Sequence, residues 1–83
     1  MLEALNQPID VITVFAEGKL RPLRFKWRNR VVKVSKVTGE WLREEGIGPV
    51  RYYAVLADNS DYFELAYDIE KTRWRLCRVW MDG

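Results

Sequence analysis

From Leu23 to Val34 apolar and basic residues alternate. Leu23, Phe25 and Trp27 take one parity, Arg24, Lys26 and Arg28 take the other, and the apolar parity resumes at Val32 and Val34. A period of two sends successive side chains to opposite faces of a strand, so this stretch buries its apolar set best as a β-hairpin with one dry and one cationic face. With Arg28 and Asn29 as a two-residue turn and Asn29 at positive φ, Trp27 faces Arg30, Phe25 faces Val32 and Leu23 faces Val34. On the other face Lys26 meets Val31 and Arg24 meets Lys33. Like charges directly opposed destabilise a ladder, and a bound anion would relieve the pair formed by Arg24 and Lys33.

This hairpin sits inside a strong charge asymmetry. The formal net charge is only +2, yet Lys19, Arg21, Arg24, Lys26, Arg28, Arg30, Lys33 and Lys36 fall between Gly18 and Val37 with no acidic residue among them. A cation-rich face points to an anionic partner, with nucleic acid foremost; its structural alternative is an edge kept charged against aggregation.

At 83 residues the chain is close to the lower size limit for folding around one core without staples. The single Cys77 rules out an internal disulfide and the absence of His removes the usual zinc sets, so no metal and no cofactor is expected. The core must come instead from four Trp, four Tyr and three Phe. No apolar run is long enough to span a bilayer, and Met1 to Pro8 lacks the basic and apolar regions of a leader. A cytoplasmic location without membrane contact is the expectation.

Elsewhere the pattern predicts further strands. Met1 to Pro8 reads as a tail with at most one helical turn through Leu2 and Leu5. Ile9 to Phe15 reads as a strand with both faces at least partly covered, Gly18 as a turn, and Pro22 as the mark of a strand end that lies at a sheet edge. With Asn59 and Ser60 as a second two-residue turn, and Ile69 to Thr72 as a four-residue turn, residues 50 to 80 form a three-stranded meander. Its core positions are Tyr52, Ala54, Leu56, Phe63, Leu65, Tyr67, Trp74 and Leu76, with Asp68 opposite Arg73 outside. Thr38 to Pro49 reads as one short helix or 3₁₀ segment, with Thr38 as N-cap and Gly46 as its stop, and Trp41 plugging one end of the β layer. The expected fold over residues 1–83 is therefore mainly β: a small antiparallel bent meander or partly open barrel of five to six strands with one short helix.

Catalysis finds little support in the residues. Without His, acid and base work would need carboxylates, Lys, Tyr or Cys77 with strongly shifted pKa values in a pocket that so small a chain can hardly enclose. Glu44 and Glu45 read as solvated, and Asp58, Asn59, Ser60 and Asp61 as turn formers. Gly46, Gly48 and Pro49 make a loop exit without the Lys and helix of a phosphate cradle, and no small-molecule substrate is implied. The chain reads as a non-enzymatic binding module. Arg24, Lys26, Arg28, Arg30 and Lys33 are the candidate phosphate contacts, and Trp41 and Trp80 the candidate stacking or partner contacts. The alternative is a protein-interaction module that docks through a strand edge or an aromatic patch.

The run Pro22-Leu23-Arg24-Phe25-Lys26-Trp27-Arg28-Asn29-Arg30, then Val34, Val37 and Trp41, and later Tyr62-Phe63-Glu64-Leu65 and Thr72-Arg73-Trp74-Arg75-Leu76, resembles an uncharacterised family of small bacterial β domains. Members of that family occur alone and as a C-terminal appendage of some Y-family translesion polymerase relatives. The resemblance covers Pro8 to Trp80 and departs at Asn29, where the family's turn usually has Gly; Asn tolerates the left-handed region. The resemblance implies a β fold and a DNA-repair association, and carries over no catalytic residue.

Overall fold

The computed structural model describes residues 2–46 and 48–81. These form seven antiparallel strands: β1 (Leu2–Ile9), β2 (Val11–Ala16), β3 (Lys19–Trp27), β4 (Arg30–Glu45), β5 (Gly48–Ala57), β6 (Tyr62–Asp68) and β7 (Arg73–Trp80). They make one sheet in the order β1-β7-β6-β5-β4-β3-β2. The edge strands β1 and β2 are consecutive in the chain with only Asp10 between them, so the sheet must curl to bring its edges together. At that seam the Lys26 N–H donates to the Asp10 carbonyl at 3.4 Å, but no ladder joins the two edges. The result is a curled open sheet and not a closed barrel.

The concave face holds the core. Phe25, Trp27, Val32, Tyr53, Val55, Ala57, Phe63, Leu65, Trp74, Leu76 and Val79 are buried there together. Phe63 meets Phe25 and Trp27 edge-on at ring-centroid distances of 5.1 and 5.6 Å, geometries that add about 0.5–1.5 kcal/mol per pair beyond burial. The Tyr53 hydroxyl donates to the Leu20 carbonyl at 2.8 Å and so meets its polar need inside the core. A smaller cluster of Val50, Tyr52 and Ala66, with Trp41 and Cys77 against it, covers part of the convex face.

The first hairpin has the expected register, with Trp27↔Arg30, Phe25↔Val32, Lys26↔Val31 and Arg24↔Lys33 paired. Both turn residues are left-handed, Arg28 at φ 51 and Asn29 at φ 61, the two-residue turn whose twist matches the strands. Leu23 and Val34 do not pair. Gly18 occupies its turn at φ 72 beside Glu17 at φ 55. The last hairpin also matches, with Tyr67↔Trp74, Leu65↔Leu76 and Asp68↔Arg73.

Five expectations are corrected. The strands number seven and not five to six, because residues 2–9 join the sheet and the region read as Ile9 to Phe15 is divided at Asp10. Residues 2–9 are not a tail but strand β1, laid along β7 from Leu2↔Trp80 to Ile9↔Trp74. The region from Ile9 to Phe15 breaks at Asp10, and Ile12, Val14 and Phe15 of β2 are exposed, because β2 is a sheet edge. No helix occurs among the described residues: Thr38 to Glu45 continues β4, and Trp41 stacks on its cross-strand partner Tyr52 outside the sheet rather than plugging its end. Finally, the β5–β6 register is one residue off the expected one, pairing Val55↔Phe63 and Tyr53↔Leu65. The loop there has three residues, closed by Ala57 N–H to the Asp61 carbonyl with Ser60 at φ 72. An odd loop exchanges the faces of β5, so Tyr53, Val55 and Ala57 enter the core in place of Tyr52, Ala54 and Leu56.

Candidate nucleic-acid interface

Alternation along β3 and β4 puts Phe25, Trp27 and Val32 inside, and thereby turns Arg24, Lys26, Val31 and Lys33 outward. Arg24 and Lys33 lie directly opposite one another, and Lys26 is two residues along the same face. All three are exposed. None has an ion-pair partner among the described residues, whose pairs are Arg28–Glu3, Arg30–Asp61, Arg51–Glu40 and Arg75–Glu45. Beside them Ile12 and Val31 are more than half exposed. Together with Asp10, Val11 and Phe25 they line a groove of about 360 Å³ that Arg24 and Lys26 flank.

The two arginines at the turn are differently placed. Arg28 donates to the Glu3 carboxylate at 2.8 Å, and its guanidinium lies 4.3 Å from the Trp27 ring centroid. Arg30 reaches Asp61 at 3.8 Å and the same ring at 5.7 Å. Trp27 is core, as expected, with two cations over its ring. Of the five sequence-expected contacts, then, three form an open cationic face and two are held by carboxylates distant in the chain, Glu3 on β1 and Asp61 just before β6. Glu3 and Asp61 carry no signal in the local pattern of the hairpin.

Trp80 is about half exposed on the convex face. It lies opposite Leu2 on β1 and Tyr62 on β6, both also exposed, so the three form an apolar row. Trp41 is half-buried and parallel to Tyr52, 5.5 Å between centroids, with one face already covered; the Arg43 guanidinium lies 5.4 Å from the Tyr52 centroid. Tyr52 donates its hydroxyl to Glu45, and burial, with that carboxylate, pushes the phenol's pKa up. The arginines of β7 share the convex face because Cys77 is an extra residue between the pairs Leu65↔Leu76 and Glu64↔Arg78. Arg75 is engaged by Asn6 at 2.6 Å and Glu45 at 3.6 Å, while Arg73 and Arg78 stand opposite Asp68 and Glu64. This second group of cations is balanced by acids; the face of Arg24, Lys26 and Lys33 has no such partner among the described residues.

Cys77 is partly buried and free, and burial raises its pKa, which disfavours a reactive thiolate. Asp58 to Asp61 is a turn held by its own side chains, with the Asp61 N–H donating to Asn59 at 3.1 Å. Among the described residues no group of three or more His, Cys, Asp or Glu could hold a metal, and no helix is long and apolar enough to cross a membrane.

Comparison with protein families, with curated proteins and with solved structures finds no match in any of the three. Three unpaired cations on a stiff ribbon can neutralise and position phosphates, because side chains on one face of a strand repeat about every 7 Å, close to the phosphate spacing of a nucleic-acid strand.

Proposed function

We propose that this protein is a non-enzymatic module that binds nucleic acid through the outer face of the β3–β4 hairpin, with Arg24, Lys26 and Lys33 as its phosphate contacts. One observation carries the reading: Arg24 and Lys33 are paired across the ladder, where like charges repel, and neither has an acidic partner among the described residues. An arrangement that costs stability without an anion is relieved by one. Arg28 and Arg30 contribute less, being held by Glu3 and Asp61. The resemblance noted in the sequence gives the proposal a DNA-repair setting.

Anisotropy titrations with short duplex and single-stranded DNA over a salt series test it. Three phosphate contacts give a slope of log K against log salt of about −3 for duplex and about −2 for single strands. The variant R24E/K26E/K33E, altered only at exposed positions, should lose binding with an unchanged melting temperature; undiminished binding would overturn the assignment. The exposed row of Leu2, Tyr62 and Trp80 supports a second reading, a protein-docking surface, whose binding would vary little with salt.

A further inference from the structure

The ladder between β3 and β4 holds only from Trp27↔Arg30 to Arg24↔Lys33. Yet β3 runs back to Lys19 and β4 on to Glu45. The cause is two β-bulges next to the last pair. On β3, Leu23 is the extra residue between Ile12↔Arg24 and Thr13↔Pro22. On β4, Ser35 is the extra residue between Val34↔Ala57 and Lys36↔Leu56, and its hydroxyl fixes it by donating to the Leu56 carbonyl at 3.0 Å. A bulge bends the strand that carries it. The two strands therefore diverge within one sheet and leave a cleft of about 400 Å³, lined among others by Lys19, Arg21, Leu23, Ser35, Lys36 and Glu40.

We propose that this cleft takes an extended acidic peptide, which adds to the open edge of β3 as a strand. The main chain of residues 19–23 has no ladder partner on the β4 side, and such an edge is a template for strand addition. Its five residues offer about 17 Å of extended chain. Lys19 and Arg21 turn their main-chain groups towards β2, the Leu20 carbonyl already takes the Tyr53 hydroxyl and Pro22 has no N–H, so the peptide pairs through the Leu20 N–H and the Pro22 carbonyl. Charge selects the partner: Lys19, Arg21 and Lys36 have no ion pair among the described residues, whereas the one acid of the cleft, Glu40, is held by Arg51 at 2.9 Å. Leu23, nearly half exposed, offers an apolar contact. A nucleic-acid strand would satisfy the cations but not the edge, because phosphates accept hydrogen bonds and do not alternate donors with acceptors.

The probe is a fluorescein-labelled peptide of about seven residues alternating glutamate and valine, long enough to cover the edge. It is run beside the same peptide N-methylated at every second residue and an oligothymidylate. The unmodified peptide should bind and slow amide exchange at Leu20, with N-methylation weakening it by at least about tenfold. K19E/R21E/K36E should cost about tenfold through lost charge, while R24E/K26E/K33E leaves peptide affinity within about twofold. Equal binding of the N-methylated peptide would overturn strand addition, as would absence of peptide binding. Protection of the Leu20 amide by the oligothymidylate alone would make the cleft part of the phosphate track. Failure of the nucleic-acid reading shows instead as unaltered DNA binding by R24E/K26E/K33E, which leaves the peptide result untouched.

Discussion

Tyr53→Phe isolates one buried hydroxyl and gives a stability difference whose sign changes with pH. The side chain is fully buried and donates at 2.8 Å to the Leu20 carbonyl. Its ring lies 5.4 Å from Trp74, a contact that phenylalanine keeps. At neutral pH the variant loses one hydrogen bond, about 1 kcal/mol, which in a domain of this size lowers the melting temperature by about 4–8 °C. At high pH the balance reverses. Burial, with a smaller push from the Glu40 and Tyr67 charges and against the pull of Arg51, raises the Tyr53 pKa from 10.0 to about 12. Between those two values the unfolded chain has released the proton and the folded chain still holds it. Unfolding therefore gains in favour as pH rises, and the contribution present below pH 10 is lost. The loss amounts to about 1 kcal/mol near pH 11 and about 2 kcal/mol near pH 12. Phenylalanine has no such linkage, so urea-derived stabilities of the two proteins should cross close to pH 11. The other tyrosines are common to both and cancel in the difference, apart from the small coupling between Tyr53 and Tyr67. A gap between wild type and variant that stays constant from pH 9 to pH 12 would refute the buried, proton-holding hydroxyl.

Three further outcomes follow from backbone geometry and pairing. Asn29, at φ 61, should accept glycine without loss, while Asn29→Ala costs about 1 kcal/mol in thermal denaturation; equal melting of the two would contradict the left-handed turn. Gly48 sits at φ 120, and a Cβ there would lie 2.9 Å from the Glu70 carboxylate. Gly48→Ala should therefore cost about 1–3 kcal/mol, and Gly48→Ala/Glu70→Ala should recover only the smaller, steric part. Arg28→Ala removes the exposed pair to Glu3 and a cation from over Trp27. It should cost about 1 kcal/mol, falling in high salt but not to zero, because the ring contact is screened less than the ion pair.

The parts of the fold legible in the sequence are those where period two runs unbroken into an even turn. The Trp27–Arg30 hairpin and the Tyr67–Trp74 pairing needed only alternation and loop length. Legibility ended at each extra residue. Ser35 and Thr38 are bulges on one strand, the second held by its hydroxyl donating to the Ala54 carbonyl at 3.1 Å. Together they break the alternation of β4, so that Thr38 to Glu45 no longer looks like strand and its Thr and Gly pass for helix caps. The three-residue loop at Asp58 to Ser60 has the same polar composition as a two-residue one, and the slip it causes moved Val55 from the expected outer face to the core. At the site the shared face of Arg24, Lys26 and Lys33 followed from parity alone. The engagement of Arg28 by Glu3, 25 residues away, depends on β1 joining the sheet and could not be read locally.

The same bulges that hid β4 from the sequence shape the cleft, and deletion of Ser35 tests that link. Val34 faces inward opposite Ala57 and Lys36 outward opposite Leu56, so with Ser35 removed the two become neighbours of the correct alternating parity. The β4–β5 register beyond this point is unchanged, and the direct loss is one hydroxyl bond to the Leu56 carbonyl, about 1 kcal/mol. Straightening β4 brings Val34 towards Leu23 and lengthens the β3–β4 ladder, which returns part of that energy. Amide exchange at Leu20 should slow even without ligand, and the acidic peptide should lose its affinity while any DNA binding through Arg24, Lys26 and Lys33 persists. Exchange as fast as in the wild type, in a protein that still folds, would mean that the Leu23 bulge alone holds the strands apart. A β-bulge costs a ladder pair wherever it occurs; two of them on neighbouring strands close to one pair, with three cations around the gap that have no ion pair among the described residues, convert that cost into a place for another chain.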